Sequence, residues 1–141
     1  MLNGKLGGQS LKFTKFNLKQ ALNSEVSTAD FPETLKKIRE CSVAKYVYDV
    51  KKGIYTFTNQ DGDEIHIEGN STSIIIPRHV DKTAFNEVLQ ASRAGEFTFD
   101  EFCNRAASFG IASWLVDLIH FNTTYFSKSG DVVKIVEIPK N

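Results

Sequence analysis

The sequence predicts an α+β domain made of two duplicated α-α-β-β-β halves, forming a mainly antiparallel sheet of about six strands with four helices packed against it. Three observations carry this expectation. Residues 31–68 recur at 99–136 without a gap at a constant offset of 68, matching Phe31 with Phe99, Ala44 with Ala112, Asp49 with Asp117, Thr56 with Thr124 and Gly62 with Gly130, and pairing Tyr46 with Trp114 and Phe57 with Tyr125. Helix-start signals stand at equivalent places in the two copies. After each second helix the apolar period changes from helical to extended. A repeated supersecondary unit gives each half an apolar face that its twin can cover.

The elements follow in order. Met1–Ser10 carries Gly4, Gly7 and Gly8 and few large side chains, so residues 1–13 read as a flexible leader without a function of their own. Residues 14–141 then form one domain with halves 14–68 and 84–138. A first helix from about Thr14 to Val26 places Phe16, Leu18, Ala21 and Leu22 near one face. Its counterpart from about Asp81 to Ala94 does the same with Ala84, Phe85, Val88 and Leu89, and Gly95 closes it. Asp30 with Glu33 and Thr98 with Glu101 read as capping boxes that start the second helices, with Pro32 tolerated in the first turn. Phe31, Leu35 and Ile38 in one copy, and Phe99, Phe102, Cys103 and Ala106 in the other, make the buried stripes, and Gly110 suits a left-handed helix end. Strands are expected at 43–50, 54–59 and 64–68 and again at 111–119, 122–127 and 132–138. Gly53 and Asn122 are placed to take positive φ in the first turns, and Asp61-Gly62 and Ser129-Gly130 to form the second hairpins. Strands 43–50 and 111–119 are apolar on both faces, which suits central strands covered on both sides. Ser73–Ile76 is a further candidate strand without a counterpart.

Composition bounds the function. Seventeen basic and seventeen acidic residues cancel, so no global field draws the chain to nucleic acid or to an anionic membrane. With 141 residues and 41% hydrophobic content, one domain buries roughly two thirds of its unfolded surface. The first thirty residues hold no continuous apolar stretch of signal-peptide length, and no later run approaches a membrane span, so the expected compartment is the cytoplasm. Cys41 and Cys103 are not equivalent in the repeat and read as reduced core thiols.

Several segments carry a family resemblance: Ala29-Asp30-Phe31-Pro32, Phe102-Cys103, Trp114-Leu115-Val116-Asp117-Leu118, Thr124-Tyr125-Phe126, Gly130 and the closing Val136-Glu137-Ile138-Pro139. They resemble the bacterial and prophage family of unknown function often labelled "phage envelope protein", with YdfO-like and YbcV-like members. The resemblance covers about Thr14 to Pro139. It implies a small α+β protein of bacterial or prophage origin and no established activity. Lys52-Gly53 replaces the family's usual Asp-Gly in the first hairpin, and Ser92-Arg93-Ala94-Gly95 replaces a commoner His-Gln-x-Gly stretch.

Few residues invite a chemical reading. Asp49 and Asp117 stand at equivalent positions in apolar strands, where each must find a partner, reach the strand end or carry a raised pKa. One reading makes them a symmetric pair of acids; the other, favoured here, has each accept hydrogen bonds from the adjoining turn. His120 follows Asp117 by three residues and forms with it a candidate acid-base or metal pair. No Cys-x-x-Cys, His-x-x-x-His or carboxylate-rich loop supports a metal site, and no cofactor is expected. Tyr46 and Trp114 alternate onto the strand face opposite the two acids, as core beneath the helices or as the wall of a ligand pocket or subunit interface. Two apolar faces and only four helices pull toward a homodimer. Aromatics on a sheet can stack nucleic-acid bases, but the interleaved basic residues and the glycine-rich signature are missing. The expected function is a non-catalytic binding or interaction module for a protein or small-molecule partner. The alternative is a small enzyme or metabolite binder using Asp117, His120 and Asp49.

Overall fold

The computed structural model of the protein describes residues 12–139, and the expected leader falls almost wholly outside them. Helix α1 spans Lys15–Asn23, α2 Phe31–Glu40, α3 Lys82–Arg93 and α4 Phe99–Ser108. Strands β1 Val43–Asp49, β2 Ile54–Asn59, β3 Glu64–Glu68, β4 Ile111–Asp117, β5 Asn122–Ser127 and β6 Val132–Glu137 form one antiparallel sheet in the order β3-β2-β1-β4-β5-β6. The architecture is the expected α+β one. At the centre β1 pairs with β4 in a register that sets Val47 against Leu115 and Asp49 against Ser113. Val47 thus faces its own counterpart in the repeat, and the sheet reads the same outward from this pair in both directions.

Backbone conformation follows the 68-residue offset closely. Positive φ occurs at Ser42 and Gly110, at Gly53 and Phe121, and at Gly62 and Gly130. Each pair occupies one turn position, so the demand is set by the turn and not by the residue. The residue type favours Asn122 for positive φ after β4, yet Phe121 takes it at 59°, and Asn122 already pairs with Asp117 as the first residue of β5.

The Thr98–Glu101 capping box is present: Thr98 Oγ1 accepts from the Glu101 amide at 3.2 Å and Glu101 accepts from the Thr98 amide at 2.8 Å. Its partner at Asp30–Glu33 is not. A 3₁₀ turn at Thr28–Asp30 precedes α2 and puts Asp30 in helical backbone, from which its side chain turns back to accept from the Val26 and Ser27 amides at 2.9 and 3.1 Å. A capping side chain reaches forward only from an extended residue, so the box moves upstream to Ser27–Asp30. Two further expectations fail on geometry. Phe16 is 68% exposed because it lies about half a turn from the Leu18, Ala21 and Leu22 face. Ser73–Ile76 forms no strand; it belongs to the crossover from β3 to α3, tied down where Thr72 Oγ1 donates to Asn104 Oδ1 at 2.7 Å.

The core lies on one side of the sheet. Phe85 of α3 meets Tyr125 edge-on at 5.0 Å, Phe102 of α4 meets Trp114 at 5.4 Å, and Leu18, Ile38 and Phe85 have no exposed surface. Each such large apolar side chain contributes roughly 1.5–3 kcal/mol by leaving water. The opposite face is bare. Val47, Val132 and Ile135 are exposed there, and Leu115 and Phe126 are half-buried. The expectation that β1 and β4 are covered on both sides is therefore corrected: β2 and β5 alternate buried with half-buried residues, the mark of a sheet wetted on one face. Cys41 and Cys103 are free and buried. Among the described residues no helix is long and apolar enough to cross a membrane.

Candidate functional site

Asp49 and Asp117 do not meet. In the antiparallel β1–β4 pair they stand at opposite ends, each four residues from the partner's register position, and each closes its own turn. Asp49 accepts from the Lys52 amide at 3.0 Å. Asp117 accepts from the Ile119 and His120 amides, both at 2.9 Å, and pairs with His120 Nδ1 at 2.8 Å. Partial burial alone would raise the Asp117 pKa, but the amide and ring of His120 together with the Ile119 amide outweigh it and hold the carboxyl below its ordinary range. His120 is exposed. Among the described residues no group of three or more His, Cys, Asp or Glu could hold a metal ion.

A concave, largely apolar feature of the fold lies elsewhere, between the helices and the C-terminal half of the sheet. It is a cavity of about 480 Å³, floored by Trp114, Thr123 and Tyr125, walled by Phe31, Phe99 and Phe102 and by Leu35 and Leu89, and rimmed by Glu25, Arg93 and Glu137. Of the paired aromatics Tyr46 and Trp114, Trp114 alone reaches it. Tyr46 is buried one strand away against Tyr55 and Phe57. Asp49, Asp117 and His120 are not among the lining residues.

The repeat explains why the hollow exists. Position for position, Thr123 stands where the first half has Tyr55, and Thr34 where the second half has Phe102. Tyr55 fills its space, stacked on Phe57 at 5.6 Å and against Phe99 at 6.0 Å. Thr123 leaves that volume empty. Its hydroxyl is buried with no hydrogen-bond partner, as is the Thr34 hydroxyl, and Thr123 is only 2% exposed. A buried hydroxyl without a partner costs about 1–3 kcal/mol, which a scaffold alone gives no reason to keep.

Glu25 is held at the rim by the segment after α1. Thr28 anchors that segment: its amide donates to the Phe97 carbonyl at 3.0 Å and its hydroxyl to the Ser92 carbonyl at 2.7 Å. Burial pushes the Glu25 carboxyl up to about 7; the neighbouring Thr34 hydroxyl opposes the rise without reaching hydrogen-bond geometry, and the Asp30 carboxylate adds to it. Burial also raises the Tyr125 phenol, which the Arg93 guanidinium partly offsets. Sequence reasoning misses Glu25, Arg93, Thr34 and Thr123. Two signals point to three of them: Glu25 lies seven residues after Leu18, on the apolar side of the helix expected from about Thr14 to Val26, and both threonines interrupt an aromatic that the twin half keeps.

No curated protein matches the chain. A family model described as "Protein of unknown function (DUF1398)" matches residues 19–137, a span that holds every element except the start of α1 and the whole lining of the cavity but Ile138 and Pro139. The chain belongs to the DUF1398 family of proteins of unknown function.

Proposed function

We propose that this protein is a non-catalytic binding module that holds a small, largely apolar molecule in the cavity above Trp114 and Tyr125. One observation carries the reading: an aromatic-lined hollow of about 480 Å³, of a size and character that suits a small ligand, ends on a buried hydroxyl that has no partner within the fold. Asp117 and His120 stay outside this site, so the proposal does not extend to catalysis. We place the protein in the cytoplasm, in line with its resemblance to bacterial and prophage proteins.

Trp114 is the only tryptophan, so its fluorescence reports the cavity without labelling. Titration with the neutral probe 2-phenylethanol should change the emission saturably. Thr123→Tyr, which copies the twin position Tyr55 and fills the hollow, should abolish the response while far-UV circular dichroism is unchanged. Ser92→Phe, which narrows the rim from α3, gives a second test. Its own hydroxyl bonds only back to the Leu89 carbonyl at 2.8 Å, so its loss costs the fold little. Equal binding by wild type and both variants would put the ligand elsewhere.

A second reading concerns the bare sheet face. Val47, Leu115, Phe126, Val132 and Ile135 form an apolar strip across it, centred on the Val47–Leu115 pair. We propose that two copies associate through this face, as the apolar content of the central strands suggests.

A further inference from the structure

We infer that the cavity accommodates an organic cation, an apolar ring or short chain ending in a protonated amine, with the ammonium lodged between the Glu25 carboxylate and the aromatic walls. The inference rests on reading the cavity as a ligand site and adds the charge of the ligand.

The walls have the geometry of a cage. Trp114 meets Tyr125 at 5.6 Å and 57°, Phe102 at 5.4 Å and 63°, and Phe99 at 6.2 Å and 86°. In an edge-to-face pair the edge-on ring keeps its own faces free, and a ring face is the negative end of the aromatic quadrupole. A cation against several such faces, out of bulk water, is held more firmly than a neutral group of the same shape.

The charges around the cavity agree. Two acids, Glu25 and Glu137, line it against one base, Arg93. Arg93 is exposed and acts on Tyr125, and no basic side chain is among the groups that act on Glu25. The remaining groups near Glu25 cannot neutralise it: Asp30 is itself acidic and spends one carboxylate oxygen on two backbone amides, while Tyr46, Tyr55 and Cys103 are held uncharged by burial. A half-buried acid without an ion-pair partner among the described residues, beside an aromatic cage, is satisfied by a cation from outside. Thr123, on the cavity floor, adds a buried hydroxyl. Its lack of any partner in the fold is the independent sign that the site is built for a polar group it does not itself contain.

The test uses three probes with a common phenyl ring, read by Trp114 fluorescence at about pH 8: 2-phenylethylamine, 2-phenylethanol and phenylacetate. The amine should bind about tenfold more tightly than the alcohol, and phenylacetate more weakly than either. In Glu25→Gln the amine's advantage over the alcohol should shrink to about twofold or less. Lowering the pH to about 5.5, where Glu25 holds its proton, should shrink it in wild type as well. Equal binding of amine and alcohol, or a preference that survives Glu25→Gln, overturns the cation assignment and leaves the cavity reading intact. Failure of all three probes to bind at millimolar concentration overturns both.

Discussion

Replacing Glu25 with Gln should stabilise the protein above neutral pH and leave it nearly unchanged in mild acid. The folded carboxyl titrates at about 7 against an ordinary value of 4.5, because burial disfavours its charge. Between those two values the folded chain keeps a proton that the unfolded chain has released. Wild-type stability therefore falls as the pH rises through this window and is flat above it. At about 1.4 kcal/mol for each tenfold change in proton activity, the window sets a ceiling of about 3 kcal/mol. Solvent still reaches part of this half-buried side chain, which lowers the expectation to about 1–2 kcal/mol. Glutamine keeps the volume and the polarity but has no proton to lose. Urea denaturation of both proteins from about pH 5 to pH 8 measures the difference, and titrations common to both cancel. The two midpoints should lie closest near pH 5 and separate progressively up to about pH 7, with the variant the more stable at pH 8. Parallel curves, or a wild type that gains on the variant as the pH rises, would refute the placement of an uncompensated acid beside the cavity.

Other consequences are more local. Thr123→Val removes the unpartnered hydroxyl at nearly constant shape, so it should raise stability by about 1 kcal/mol in thermal denaturation. Asp117→Ala should cost about 0.5–1.5 kcal/mol in urea titrations, less than a buried acid would, because solvent can replace its bonds to the Ile119 and His120 amides, and Asp117→Asn should recover part of the loss. Whatever the lowered Asp117 pKa contributes is present at neutral pH and disappears only as the pH falls below the ordinary carboxylate range. Ser42 sits at φ 70°, where the twin half uses Gly110, so Ser42→Gly should be neutral to stabilising by up to about 1 kcal/mol; Gly110→Ala should be strongly destabilising, since a Cβ there would meet the His79 carbonyl oxygen at 2.8 Å. Light scattering at tens of micromolar should give the mass of a dimer, and Val47→Lys should return it to a monomer; a wild-type monomer under these conditions would remove the proposed role of the bare sheet face.

The strands, the helices and their order are legible in the sequence because each depends on local period and turn chemistry. Gly62 and Gly130 mark hairpins by what their backbones must do, and Thr98 with Glu101 starts a helix by bonds made within one turn. The coverage of the sheet is not legible. Val47 and Leu115 read as buried because of their type, and only the three-dimensional placement of the helices on one side leaves Val47 exposed and Leu115 half-buried. Asp30 misleads for a related reason: its residue type suits a cap, but the Thr28–Asp30 turn fixes a backbone from which it cannot cap forward. A cavity is harder still, since it is a deficit of volume summed over residues far apart in the chain. Here the repeat offers a route, because the informative positions are the mismatches. Thr123 against Tyr55 marks the hollow, whereas the matched Asp49 and Asp117 mark turns.

Whether the cavity holds an organic cation is decided by a crystal structure of the protein soaked with 2-phenylethylamine. Electron density for the phenyl ring should lie against Trp114 and Tyr125, with the amine nitrogen within hydrogen-bond distance of the Glu25 carboxylate. A cavity closed by inward movement of Phe99 or Trp114, or a ligand bound only at the Asp117–His120 turn or on the bare sheet face, would overturn both the site and its charge.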